Sequence, residues 1–160
     1  MRIRAEIVML LACLCLYCSK GLNAQTKPDT IHTSLNGEEM AAIVKEAGFS
    51  PEVTKDSQGD PLIRFRLEAL RCAIYFFGCK NDRCESYQFS AGFSMEKKPG
   101  QEKINEWNRT KRFGRAYIDA EQDPHIEMDV DLDGGVTHEY IVRTLSTWRA
   151  VFLAFVKYIG

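Results

Sequence analysis

Residues 72–91 read CAIYFFGCKNDRCESYQFSA, and the way this stretch pairs decides the fold. Two apolar, aromatic runs flank a short polar loop with Cys79 and Cys84 at its mouth. If Cys79 faces Cys84 across a hairpin, the register sets Phe76 against Tyr87, Ile74 against Phe89 and Cys72 against Ala91. The two-residue period of a strand puts these six side chains on one face, apolar enough to be core. Tyr75 and Phe77 then share the opposite face with Ser86, Gln88 and Ser90. Cys72 falls inside, where a free cysteine behaves as a small inert hydrophobe. A disulfide across so short a loop is a modest staple, about 2 kcal/mol or less by chain-closure arithmetic. Two reduced thiols and a metal site are the other readings of the pair. A structural zinc site wants four ligands in closely spaced pairs. Beyond the first 24 residues no second cysteine pair exists, and His32, His125 and His138 are isolated, so no metal is expected.

Outward from the hairpin, Ile63, Phe65 and Leu67 alternate with Arg64, Arg66 and Glu68, a half-buried strand that follows the turn cluster Ser57–Pro61. Upstream, Asn36 followed by Glu39 is a capping-box pattern. Met40, Ile43, Val44 and Ala47 follow it at helical spacing as far as Gly48. Downstream, Pro99-Gly100 precedes a short helix with Ile104 and Trp107 on one side. Residues 113–119 and 125–133 are the next two strands, the second with Ile126, Met128, Val130 and Leu132 on one face. If Ile118 faces Ile126, Arg115 lies opposite Asp129. A long C-terminal helix places Ile141, Leu145, Trp148, Phe152, Phe155 and Ile159 on one stripe. The order predicts an α+β domain, a twisted antiparallel sheet of about five strands packed with three helices.

The chain of 160 residues has room for one such domain. Arg2 and Arg4, the apolar run Ile7–Tyr17 and Leu22-Asn23-Ala24 read as a secretory signal cut after Ala24, too short to span a bilayer. Leu10-Leu11-Ala12-Cys13 resembles a lipid-attachment box, but only six apolar residues precede its cysteine, and cleavage after Ala24 is the preferred reading. The expected organisation is a signal over 1–24, a flexible lead-in over 25–35 and a domain over 36–160, in a periplasmic or secreted protein. The first 24 residues hold three basic groups (Arg2, Arg4, Lys20) and one acidic (Glu6), so the net charge of −1 falls to −3 without them. That disfavours a nucleic-acid partner, which calls for a cationic excess.

Asp129, Asp131 and Asp133 imitate a calcium loop, yet Tyr140 stands where the twelfth-position glutamate belongs. The apolar alternation of Val130 and Leu132 reads instead as a strand with a solvated acidic face. Ser90 lacks the glycine two residues before it that a nucleophile elbow needs. No cofactor motif or catalytic constellation is visible.

Three blocks carry a resemblance. They are Gly78–Phe89 with its cysteines, Ile104-Asn-Glu-Trp-Asn-Arg109 followed by Arg112-Phe-Gly-Arg-Ala-Tyr-Ile-Asp119, and Met128–Leu132 with Gly134-Gly135. Together they resemble the YbjN family of bacterial sensory-transduction regulators over roughly residues 36–158. The resemblance implies a fold like that of type III secretion chaperones, and no enzyme activity, cofactor or catalytic residue.

These readings lead to an expected non-enzymatic module of the cell envelope that binds a protein or peptide or forms a homodimer. Its candidate surface is Tyr75, Phe77, Gln88, Trp107, Asn108, Arg109, Arg112 and Arg115. The nearly all-round apolar stretch Ala150–Val156 is a second candidate surface. The alternative is a small-ligand protein or enzyme built on Arg109, Arg112 and Arg115 with Asp119 and Asp129.

Overall fold

The computed structural model describes residues 30–160. The expected signal, its cleavage point and the lipid-attachment box at Cys13 lie outside the described residues. Eight strands and three helices follow in the order β1 (Ile31–His32), α1 (Gly37–Glu46), β2 (Glu52–Lys55), β3 (Pro61–Leu67), β4 (Leu70–Lys80), β5 (Arg83–Gly92), α2 (Gln101–Thr110), β6 (Arg115–Ile118), β7 (Pro124–Asp131), β8 (Val136–Thr137) and α3 (His138–Ile159). Six strands form one antiparallel sheet in the order β2-β3-β4-β5-β7-β6, and β1 pairs with β8. The fold is α+β, with a twisted sheet that does not close.

The central hairpin has the register set by its cysteines. Cys79 pairs with Cys84, Phe76 with Tyr87 and Ile74 with Phe89, and a disulfide joins the cysteine pair. Asn81 and Asp82 turn the chain with positive φ, as a two-residue hairpin loop requires. One break in the ladder matters. Gly78 and Glu85 drop out of the pairing between Phe77–Ser86 and Cys79–Cys84, and Gly78 takes φ +64°. An unbroken strand would set Cys84, three residues from core-facing Tyr87, on the opposite side of the sheet. Instead both are buried in the same core.

Two further strands escape a pattern reading. β2 has a single large apolar residue, Val53, and exists by pairing with β3 beyond the turn that Asp56 and Asp60 close. Residues 30–35, expected as the end of a flexible lead-in, are tied down. Ile31–His32 pair with β8, and Leu35 exchanges both backbone hydrogen bonds with Cys84 at 3.0 and 2.8 Å. Arg83 fastens the same segment by donating to Ser34 and to Glu39 Oε1.

The register of β6 against β7 corrects an expectation. Ile118 faces Pro124, not Ile126, and Arg115 faces Glu127, not Asp129. The turn is tighter than its residues suggest. Asp119 N–H donates to Asp123 O, and Asp123 N–H donates back to Asp119 Oδ1, so β7 begins at Pro124. The shift of two residues leaves every side chain on its expected face.

All three helices pack on one side of the sheet. The inward residues of β3, β4, β5 and β7 join the α3 stripe in a single core, and all six predicted stripe residues are buried. Phe89 stacks on Trp148 at 5.5 Å, and the Tyr87 hydroxyl meets Thr144 Oγ1 at 2.7 Å. Leu153 and Val156 pack partly against this core, which removes much of the apolar surface expected on α3. Burial pushes the Cys72 thiol up to about 12, so it stays protonated and unreactive.

The predicted capping box is present, with Asn36 Oδ1 accepting from Glu39 N–H and Glu39 accepting from Asn36 N–H. Partial burial disfavours the Glu39 carboxylate, but the bonds from Arg83 and Asn36 outweigh it and hold its pKa below the ordinary 4.5. A depressed carboxyl contributes stability that is complete above its unfolded value and is lost as pH falls through the folded one. Asn36→Ala should therefore cost about 1 kcal/mol at pH 7. The difference in urea midpoint between wild type and Glu39→Gln should be present at pH 7 and close in strong acid.

Candidate functional site

With the helices on one side, the other face of the sheet is left open and concave. It encloses a volume of about 1130 Å³ over the middle strands. The register lays its side chains out in rows. One row crosses all six strands as Glu52, Arg64, Ala73, Ser90, Glu127 and Arg115. The next toward the disulfide runs Thr54, Leu62, Tyr75, Gln88 and Asp129, and beyond it come Phe77, Ser86 and Asp131. On the opposite side of the long row stand Arg66 with Arg71, and Gly92 with His125 and Tyr117.

The face has three regions. Tyr75, Phe77 and Leu62 make an apolar island. Phe77 is 47% exposed, while Leu62 is 3% exposed and lies outside the main core. Asp129 and Asp131 on β7 make an acidic margin, with Gln88 Nε2 donating to Asp129 at 2.7 Å. Arg64, Arg66 and Arg71 make a basic corner around the small residues Ala73 and Gly92.

A hydrogen-bonded group borders this corner on β6 and β7. His125 Nε2 meets Asp119 Oδ2 at 2.9 Å, and the Tyr117 ring stacks on the imidazole at 4.9 Å. The Tyr117 hydroxyl donates to Glu127 Oε1 at 3.0 Å, and Arg115 holds Glu127 Oε2 at 2.5 Å. Desolvation, then the Glu127 carboxylate, push the Tyr117 hydroxyl up to about 12. Gly92 is needed here because a β-carbon would overlap the His125 ring, which lies across the strand.

The eight residues read as a candidate surface do not stay together. Tyr75, Phe77 and Gln88 share the open face, and Arg115 stands at its β6 edge. Trp107 is buried on the helix side, its indole donating to Gly114 O at 3.1 Å and its ring packed on Phe155. Asn108 is a fastener, with Nδ2 donating to Ala116 O and Oδ1 accepting from Ala116 N–H. Arg109 extends from α2 toward Glu106, and Arg112 covers the Phe113 ring. The Arg/Asp cluster is likewise divided. Arg115, Asp119 and Asp129 lie on the sheet, whereas Arg109 and Arg112 belong to α2 and the loop after it.

The family model described as "Putative bacterial sensory transduction regulator", YbjN, matches residues 36–160. The chain belongs to the YbjN family. No curated protein and no solved structure matches it. In this YbjN domain the Asn-Glu-Trp-Asn-Arg block, the most specific part of the sequence resemblance, is framework. No described helix is long and apolar enough to cross a membrane.

Sequence reasoning missed the basic corner and the part played by His125. Arg64 and Arg66 were visible only as the polar half of a strand pattern, and Arg71 fell between two predicted strands with no part assigned to it. The pairing of β3 with β4 brings them together.

Asn108→Ala should leave both polar groups of Ala116 without their partners and cost about 2–3 kcal/mol in urea unfolding. Arg109→Ala, which removes only an exposed ion pair, should stay within about 0.5 kcal/mol of wild type.

Proposed function

We propose that this YbjN protein is an exported, non-enzymatic regulatory module of the bacterial cell envelope that receives an extended protein segment on its open sheet face. The observation that carries the reading is the uncovered concave face with Tyr75 and Phe77 on it, seated over the buried Leu62. Aromatic side chains supply large contact area at small entropic cost, and Gln88, Ser86 and Ser90 beside them offer hydrogen bonds. Concavity favours a slender guest over a second copy, since two such faces would meet only at their rims. The membership of a regulator family supports the regulatory part. Export is supported by the basic start, the apolar run before Ala24 and the Cys79–Cys84 disulfide, a bond that persists in oxidising compartments.

Two measurements test the two parts. Intact-mass analysis of the native protein from an envelope fraction should find a chain beginning at Gln25 with Cys79 and Cys84 oxidised. A full-length cytosolic chain with free thiols would overturn export. Affinity capture from the same fraction should give a partner that wild type retains and the Tyr75→Ala, Phe77→Ala double variant loses. Equal capture by both would remove the aromatic island as the receptor surface.

A further inference from the structure

We propose that the corner of the open face formed by Arg64, Arg66 and Arg71 is a binding site for a phosphate-type oxyanion carried by a small molecule. This goes beyond the peptide reading and does not rest on it, because the corner uses none of the aromatic island.

The first argument is electrostatic. Arg66 and Arg71 are direct cross-strand partners, and Arg64, paired with Ala73, is the diagonal neighbour of Arg71. Like charges placed so across a sheet repel, and a fold without use for them would separate or pair them. No ion pair among the described residues engages these three. Glu68, in the adjoining turn, pairs with Arg149. Glu127 is occupied by Arg115 and Tyr117. Glu52 is the register partner of Arg64, yet the two make no ion pair. One bond holds part of the cluster in place, from Arg66 Nη1 to Ala69 O at 2.6 Å. The other guanidinium donors make no hydrogen bond within the described residues.

The second argument is shape. The three arginines line the concave space together with Ala73, Ser90 and Gly92. Ala73 leaves a low floor between Arg64 and Ser90, the His125 ring lies over Gly92, and the Ser90 hydroxyl has no hydrogen-bond partner among the described residues. Across from the arginines the His125 ring is fixed by Asp119 on one side and by stacking on Tyr117. Its Nδ1 makes no hydrogen bond among the described residues. Guanidinium forks, a hydroxyl and an imidazole around a small floor are the donors that an oxyanion takes up. Three positive charges match a phosphate-type dianion better than a single carboxylate.

The test is a titration of the purified, ¹⁵N-labelled protein with inorganic pyrophosphate and, at equal ionic strength, with citrate, following the arginine Nε–Hε resonances. Pyrophosphate should give saturable, single-site shifts at Arg64, Arg66 and Arg71, with citrate at least about tenfold weaker. Arg71→Gln should weaken pyrophosphate by about tenfold, the loss of one charge-assisted pair. Without ligand that variant should unfold at a urea concentration no lower than wild type, because it relieves repulsion. Tyr75→Ala, Phe77→Ala should keep pyrophosphate affinity within about twofold, the size of change expected for groups outside the corner. Shifts that grow linearly over all surface cations, equal binding of citrate, indifference to Arg71→Gln, or a lowered urea midpoint for that variant would each overturn the proposal. Equal partner capture by wild type and the Tyr75→Ala, Phe77→Ala variant, with pyrophosphate binding intact, would sink the receptor reading and leave this one standing.

Discussion

The pairing of β4 with β5 is the constraint the other elements inherit. Its register decides that Ile74, Phe76, Tyr87 and Phe89 look one way, and α3 has a stripe shaped to meet them. The disulfide ties the tip of that pairing, and the segment around Leu35 closes over it. A slip of one residue would turn the core face of both strands to water. The break at Gly78 keeps the disulfide inside the same core. Without it, the cysteines and the aromatic residues would ask for opposite sides of the sheet.

From that one-sided core comes the functional character of the molecule. A sheet with helices on both faces has no open surface, whereas this one spends all three helices on a single face. The remaining face is large, twisted and concave, and its side chains are sorted by strand. Arginines gather on β3 and β4, acids on β7, with aromatic residues between them toward the disulfide. This layout suits recognition. The tethered group of Asp119, His125, Tyr117 and Glu127 adds rigidity at the edge, where each polar side chain already has a partner in the protein.

The division between framework and surface cuts across the sequence blocks. Trp107 and Asn108 look like a motif that touches something, and they do, but the thing touched is the backbone at Gly114 and Ala116. A tryptophan with a satisfied indole and an asparagine bonding both polar groups of one residue are a joint between helix and strand. The arginines at 64, 66 and 71 belong to no motif at all. They become a group only when a hairpin folds them onto adjacent strands.

Much of this was legible in the residues themselves. The cysteine spacing and the two-residue period set the hairpin register, and the capping box and the apolar stripe set α1 and α3, because each is a local pattern with a local cause. β2 was not legible, since a four-residue strand with one apolar side chain exists only through its neighbour. The Arg115 partner was missed by two positions because side-chain bonds inside a turn, which periodicity does not register, decide where a strand begins. The sequence alone determined which side chains β3, β7 and the regular parts of β4 and β5 offer to each of their faces. Only the tertiary structure decided which face the helices would cover, and hence which charges would be left together in the open, because that depends on packing between segments far apart in the chain.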